Sequence, residues 1–133
     1  MRIKLIYVFS ALTFFVVSCN SNDKGVKQHI DPNSVASIKN AIREYPDSLI
    51  LKENLIEAYR NDGYYDSAIL IANQELAKDS GSAYLWNIKA TLYFENNDTA
   101  NSINSLQHAI EIYPLPEYLV ALGTVYAEIK NKN

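Results

Sequence analysis

The apolar residues of this chain follow two different patterns. Residues 5–17 are largely apolar and contain no charge, and they come shortly after the basic residues Arg2 and Lys4. From the second quarter of the chain onward, apolar positions recur every three or four residues, beginning with Val35 and Ile38. This second spacing places apolar side chains along one face of a helix. The two patterns predict an apolar leader followed by an all-α domain.

Six helices are predicted in that domain. Their starts are indicated by residues that cap a helix N-terminus, beginning with Asp31, which can cap while Pro32 suits the first turn. Their stops are indicated by proline and glycine, such as Pro46, Gly63 and Pro114. The predicted helices span residues 32–45, 48–61, 65–78, 82–96, 99–113 and 117–131.

The domain contains an internal repeat. Residues 40–46, Asn-Ala-Ile-Arg-Glu-Tyr-Pro, align with residues 108–114, His-Ala-Ile-Glu-Ile-Tyr-Pro, and upstream Ile38 aligns with Leu106. The offset of 68 residues is twice 34, which is the period of tetratricopeptide repeats. A further copy is therefore predicted halfway between these two.

The sequence of the middle and third copies extends this similarity. Residues 62–69, Asp-Gly-Tyr-Tyr-Asp-Ser-Ala-Ile, resemble the turn and second-helix start of a tetratricopeptide repeat. In the third copy, Trp86, Ala90 and Tyr93 stand where this family has Trp, a small residue and Tyr. The resemblance implies antiparallel helical hairpins stacked as a short solenoid of about six helices, with half a repeat at each end.

Three residues depart from the family pattern, and they leave a second fold open. Lys89 stands where the family usually has leucine, while Ile56 and Glu75 stand where it usually has small residues. The alternative to the solenoid is a generic antiparallel helical bundle.

The end of the apolar leader indicates attachment to a membrane through lipid. Residues 16–19, Val-Val-Ser-Cys, resemble the lipobox of bacterial lipoproteins, and Cys19 is the one cysteine of the chain. In that family the signal peptide is removed before the cysteine, which is lipidated. The resemblance implies a signal peptide at residues 1–18, a covalent lipid on Cys19 and no other cofactor. The alternatives are an ordinary cleaved signal peptide and a short membrane anchor, although a spanning helix needs about 20 residues.

The residues after Cys19 bear on where the protein lies. Residues 19–30 are predicted to be the lipidated cysteine and a flexible tether, and residues 31–133 the helical domain, because the tether is polar and lacks periodicity. In enterobacterial lipoproteins an Asp directly after the lipidated cysteine favours the inner membrane, and this chain has Asn20 there, which implies the outer membrane. Some related lipoproteins of the Bacteroidetes type reach the cell surface through an acidic run here, where this chain has Asp23 alone. The periplasmic face and the cell surface both stay open.

The net charge limits the class of partner. It is −3 for the whole chain, and it becomes −5 once Arg2 and Lys4 are removed with the signal peptide. A mildly acidic domain does not favour nucleic acid or anionic lipid headgroups. We therefore expect contact with the membrane through the lipid anchor only, and a protein or peptide as partner.

The resemblance also implies a binding groove. In tetratricopeptide proteins the first helix of each hairpin lines a concave surface that holds peptides. The register places this groove at Glu53, Glu57, Arg60, Tyr84, Asn87, Thr91, Phe94 and Glu95. We expect an aromatic wall and an acidic end, suited to a segment with Lys or Arg and an apolar anchor. The alternative is a solvated helix face on which Glu57 and Arg60 merely pair.

Signals for catalysis and metal binding are poor. The sequence has no Gly-rich phosphate loop, nucleophile elbow or His-Glu-x-x-His motif. His29 lies in the tether, and His108 has Glu111 as a neighbour, which makes two ligands at most. We expect a protein that is not an enzyme and has no catalytic or metal site.

Three Asp-Ser/Thr-apolar triplets resemble the acceptor pattern of Bacteroidetes O-glycosylation. Their hydroxyl residues are Ser48, Ser67 and Thr99. The alternative, which we favour, is helix N-capping.

Together these features predict a lipid-anchored, non-enzymatic scaffold or adaptor at the bacterial cell envelope, which binds a partner segment in its groove. A self-assembling structural subunit is the alternative, because half-repeats leave an open face at each end of the domain. An accessory subunit of an envelope enzyme or transport complex is a further alternative.

Overall fold

The computed structural model describes residues 31–132, which form an all-α, helical-repeat-like fold. Six helices and no strand occur in this range, as the sequence predicts. The helices are α1 (Val35–Glu44), α2 (Leu49–Asn61), α3 (Tyr65–Lys78), α4 (Ala83–Glu95), α5 (Thr99–Ile112) and α6 (Pro116–Lys132). The predicted signal peptide, the lipidated Cys19 and the tether lie outside the described residues and stay predictions.

Side-chain caps begin most of these helices. The hydroxyl oxygens of Ser48 and Ser82 accept hydrogen bonds from the backbone of the first turns of α2 and α4, and the Asp98 carboxylate does the same for α5. Each cap satisfies a backbone N–H that has no partner within the helix. These are the positions from which the sequence predicts the starts of the three helices.

The start of α1 differs from the prediction by three residues. Ser34, not Asp31, caps this helix, and its hydroxyl oxygen accepts the hydrogen bond of the Ser37 N–H. The Asp31 side chain instead accepts the N–H of Asn33 and stabilises a turn before the helix. Asp31 and Ser34 are both residues that can cap a helix, and in the structure the helix begins after Ser34.

The helices pack in chain order, each against the next. α2 with α3 and α4 with α5 form two hairpins, and α1 and α6 add a single helix at each end. The first hairpin and α4 enclose one apolar cluster, and the second hairpin and α6 enclose another. The buried members are Ile56, Ala68, Ile69, Ala72 and Leu92 in the first cluster and Ala83, Ala90, Leu106, Ala109, Tyr118 and Val125 in the second. Such a core is shared between neighbouring hairpins.

The residues that depart from the tetratricopeptide pattern all have partners. Ile56 belongs to the first apolar cluster. The buried Glu75 carboxylate lies 2.9 Å from the Lys78 ammonium and 3.8 Å from that of Lys52. The Lys89 ammonium lies over the ring of Trp86, 4.6 Å from its centroid, and burial lowers the pKa of Lys89.

Candidate functional site

A cleft of about 330 Å³ lies between α2 and α4. Two buried aliphatic residues of the core, Ile56 and Leu92, lie at its floor. Its walls are formed by Glu53, Asn54, Glu57 and Arg60 of α2 and by Tyr84, Asn87, Ile88 and Thr91 of α4. Six of the eight residues predicted for the groove therefore line one cavity.

Helical periodicity explains why these side chains converge. Glu53, Glu57 and Arg60 are spaced by four and three residues, so that they form one stripe along α2. Tyr84, Asn87 and Thr91 form a matching stripe along α4. α3 packs against both helices and so carries the chain from one wall of the cleft to the other. The first helices of two successive hairpins thus face each other.

Arg60 joins the two walls at one end of the cleft. Its Nε donates a hydrogen bond of 2.7 Å to Glu95 Oε2, and its Nη2 donates to Glu95 Oε1. Its Nη1 donates a 3.1 Å hydrogen bond to Glu57 Oε2. The hydrogen bonds to Glu95, and then to Glu57, raise the pKa of Arg60 above its usual range despite partial burial. Glu95 therefore lies at the end of the cleft as a partner of Arg60.

This arrangement leaves the cleft acidic. Three carboxylates, those of Glu53, Glu57 and Glu95, lie on or beside the cleft against the single guanidinium of Arg60. Within residues 31–132, Glu53 makes no ion pair, while the other two carboxylates are engaged by Arg60. An unpaired carboxylate beside an apolar floor attracts a cation more strongly than one in bulk water does. Glu53 is thus the group most available to a ligand.

The remaining wall residues provide aromatic and polar contacts. The Tyr84 side chain stands at the opposite end from Arg60 and is 54% exposed. The side-chain amide of Asn87 makes no hydrogen bond within the described part of the chain, so that it can both donate and accept one. The Thr91 hydroxyl donates to the backbone oxygen of Asn87 and keeps its acceptor capacity. The cleft can therefore bind a cation, an apolar group and a peptide backbone together.

The structure places Phe94 outside this cleft. Phe94 packs against the apolar cluster of α4, α5 and α6 and lines a second cavity, of about 140 Å³. Thr91 borders both cavities. The other residues that line the second cavity are Ala90, Ser102, Leu106, Ala121, Thr124 and Val125. The sequence does not predict this cavity, because it depends on how α6 packs.

No second candidate centre is found in the described residues. Within residues 31–132, no group of three or more His, Cys, Asp and Glu side chains could hold a metal ion. His108 stacks on Trp86, with ring centroids 4.4 Å apart, and lies 3.8 Å from Glu111. No helix in this range is long and apolar enough to cross a membrane.

The hydroxyl residues of the Asp-Ser/Thr triplets lie at helix starts. Ser48 caps α2, and Thr99 follows the capping residue Asp98 as the first residue of α5. Ser67 lies in the first turn of α3, which has no side-chain cap. Capping accounts for two of the three triplets, and glycosylation stays a prediction for all of them.

We compared the chain with protein-family models and with curated proteins. No protein-family model matches the chain, and no curated protein matches it at a significant level. The tetratricopeptide and lipoprotein resemblances therefore rest on the residues and spacings described above.

Proposed function

We propose that this protein is a lipid-anchored, non-enzymatic adaptor of the bacterial cell envelope, and that it holds a basic segment of a partner protein between α2 and α4. The observation that carries the proposal is the acidic cleft itself. Its one cation, Arg60, is neutralised by Glu57 and Glu95, while Glu53 is left without an ion partner in the described residues. The anchor is the lipid on Cys19, and the membrane is contacted through it alone.

The proposed mode of binding follows from the groups on the walls. A Lys or Arg side chain of the partner forms a charge-assisted hydrogen bond with Glu53, which contributes about 1.5–3 kcal/mol. The Tyr84 ring packs against the aliphatic part of that side chain or against an apolar neighbour. The free amide of Asn87 binds the partner's backbone. Each group alone is weak, and together they give a moderate affinity that depends on salt concentration.

The proposed binding can be tested with defined peptides. The probes are a Lys-Leu-Lys tripeptide and a Glu-Leu-Glu tripeptide, both blocked at their ends and titrated into the ¹⁵N-labelled full chain in detergent. We expect the basic peptide to shift the amide resonances of Glu53, Tyr84 and Asn87, and the acidic peptide to leave them unchanged. Glu53→Lys should remove these shifts. The matched change Glu44→Lys, on the exposed side of α1, should preserve them.

The same titration can contradict the proposal. Equal shifts with both peptides, or shifts that map away from α2 and α4, mean that the cleft does not select a basic segment. Shifts that survive in Glu53→Lys mean that this carboxylate is not the anchor.

The anchoring part of the proposal is tested separately. We expect Cys19→Ala to remain unprocessed and to lose the mass of the attached lipid, because the thiol is the site of lipidation. Globomycin, which blocks the lipoprotein signal peptidase, should cause the wild-type chain to accumulate with residues 1–18 attached. Unchanged processing and membrane fractionation in both experiments would contradict lipid anchoring and leave the binding cleft unaffected.

A further inference from the structure

The last helix of the domain has an exposed apolar face with a counterpart inside the molecule. The side chains of Leu119 and Tyr126 on α6 are 53% and 50% exposed, and Gly123 between them is exposed as well. A shift of 33 residues superimposes this face on α4. The matched residues are Leu119 with Trp86, Gly123 with Ala90 and Tyr126 with Tyr93. On α4 the central residue, Ala90, is 1% exposed, because it lies in the apolar cluster that α4 forms with α5 and α6.

The first helix of the domain corresponds to the helix that covers α4. A shift of 68 residues superimposes α1 on α5. The matched residues are Ser34 with Ser102, Ser37 with Ser105, Ile38 with Leu106 and Ala41 with Ala109. The four residues of α5 are at most 2% exposed, because α5 packs between α4 and α6. In α1, Ile38 is buried, while Ser37 and Ala41 are partly exposed, as is the capping residue Ser34 just before the helix.

The two ends of the domain therefore complement each other. α6 resembles α4 and α1 resembles α5, but within residues 31–132 no other helix packs on the exposed face of either one. We propose that the exposed face of α6 in one copy binds α1 of a second copy, so that the two helices form a hairpin like that of α4 and α5. The occupant of the α6 face is a second copy of this chain.

Shape favours this pairing. A Cβ atom built on Gly123 meets no other atom within 4 Å, so that the centre of the α6 face is open to a close-packed helix. The face presented by α1 contains the small residues Ser37 and Ala41, which allow two helices to approach closely. In the α4–α5 hairpin, Ala90 packs in the same cluster as Ala109, the counterpart of Ala41. The pairing of Gly123 with Ala41 is therefore the same kind of small-to-small contact.

This interface differs in kind from the cleft of the proposed function. It joins two different surfaces of the same chain, and a single contact leaves one open face at each end of the pair. Such head-to-tail contacts give rings if the rotation closes and linear arrays if it does not. An array repeats the α2–α4 cleft at regular intervals. The inference does not depend on what the cleft binds.

The test blocks each face in turn, with the full chain in density-matched detergent and sedimentation velocity as the readout. Gly123→Arg places a long cation on the α6 face, where a Cβ atom meets no other atom within 4 Å, and Ala41→Arg places one at a partly exposed position of α1. Asn104→Arg, on the exposed side of α5, is the matched control. We expect the wild-type chain and the control to increase in mass with concentration, and each face variant to sediment as a monomer.

Mixing the two face variants gives the sharpest result. Each variant keeps one intact face, α1 in Gly123→Arg and α6 in Ala41→Arg, so that an equimolar mixture should form a dimer and no larger species. Circular dichroism of both variants checks that they keep the helix content of the wild type. A monomeric wild-type chain at all concentrations overturns the proposal. Association that persists in either variant alone also overturns the proposal, because it indicates contact through residues 5–17 or another surface. A mixture of the two variants that stays monomeric overturns it as well.

Discussion

At the scale of single residues, Arg60 determines the electrostatic character of the cleft. It links α2 to α4 through Glu95, a residue 35 positions further along the chain, and it also binds Glu57 within its own helix. Three of the five N–H donors of the guanidinium bind these two carboxylates, so that its charge is compensated within the protein. Its role is to hold two carboxylates together and to leave Glu53 as the free charge.

Removing this side chain should destabilise the protein. Arg60→Met leaves Glu95 and Glu57 without their cation, and we expect a loss of about 1–2 kcal/mol in the free energy of unfolding, reduced by the partial solvent exposure of the pair. Chemical denaturation measures the change. Glu53→Gln should leave stability within about 0.5 kcal/mol of the wild type, since Glu53 has no ion partner in the described residues. Equal stability of Arg60→Met and wild type would contradict this role.

We expect the partly buried charge of Lys89 to lower the stability of the folded state. Burial lowers the pKa of Lys89, which means that the folded state disfavours its charge, and its ammonium lies near the rings of Trp86 and Tyr93. Lys89→Met keeps the length of the side chain and removes the charge. We expect the melting temperature to rise by a few degrees, measured by circular dichroism at pH 7. A lower melting temperature would mean that the contacts with the two rings outweigh the desolvation.

The pH dependence of this effect has a definite sign. A lysine whose pKa is lower in the folded state than in the unfolded state binds fewer protons when folded within the interval between the two values. Its contribution to stability therefore rises with pH through that interval. The advantage of Lys89→Met over the wild type should shrink as the pH approaches the ordinary pKa of lysine. An advantage that does not change between pH 7 and pH 10 would contradict this origin.

At the scale of helices, caps decide where the elements begin. Ser48, Ser82 and Asp98 each precede an apolar periodic stretch, and the sequence therefore predicts these starts to within one residue. The same logic does not locate the start of α1, because Asp31 and Ser34 both can cap a helix and the sequence pattern does not choose between them.

The cap of α4 should have a measurable effect on stability. Ser82→Ala removes the oxygen that accepts the Leu85 N–H, and we expect a loss of about 1 kcal/mol. Ser80→Ala is the control, since Ser80 takes part through its backbone oxygen, which binds the Trp86 indole N–H. Thermal unfolding of the two variants compares them. Equal melting temperatures would indicate that the Ser82 cap is not required for α4.

The candidate site shows which contacts the sequence predicts and which it does not. Helical periodicity assigns Glu53, Tyr84 and Asn87 to facing stripes, and the structure places them in one cleft. The same reasoning assigns Phe94 to the groove, but its position depends on α5 and α6, whose packing no local pattern encodes. The bond from Arg60 to Glu95 joins residues of two different hairpins, so that local spacing alone does not predict it.

At the scale of the whole molecule, the helical array presents two kinds of surface. The acidic cleft lies between the first helices of its two hairpins, and the apolar end faces lie on α1 and α6. In our two proposals, the cleft binds a basic segment of a partner and the end faces bind further copies of the chain. Both surfaces can be occupied at once, because the residues that form them do not overlap.

The central claim is that the acidic cleft holds a partner protein at the envelope. The most direct measurement is crosslinking of the chain in its native envelope, followed by identification of the captured proteins by mass spectrometry, for the wild type, Glu53→Lys and the matched control Glu44→Lys. We predict a partner with a crosslinked Lys- or Arg-containing segment that is captured by the wild type and the control and is lost at least tenfold in Glu53→Lys, as the loss of a charge-assisted hydrogen bond requires. Equal capture by all three proteins would contradict the account.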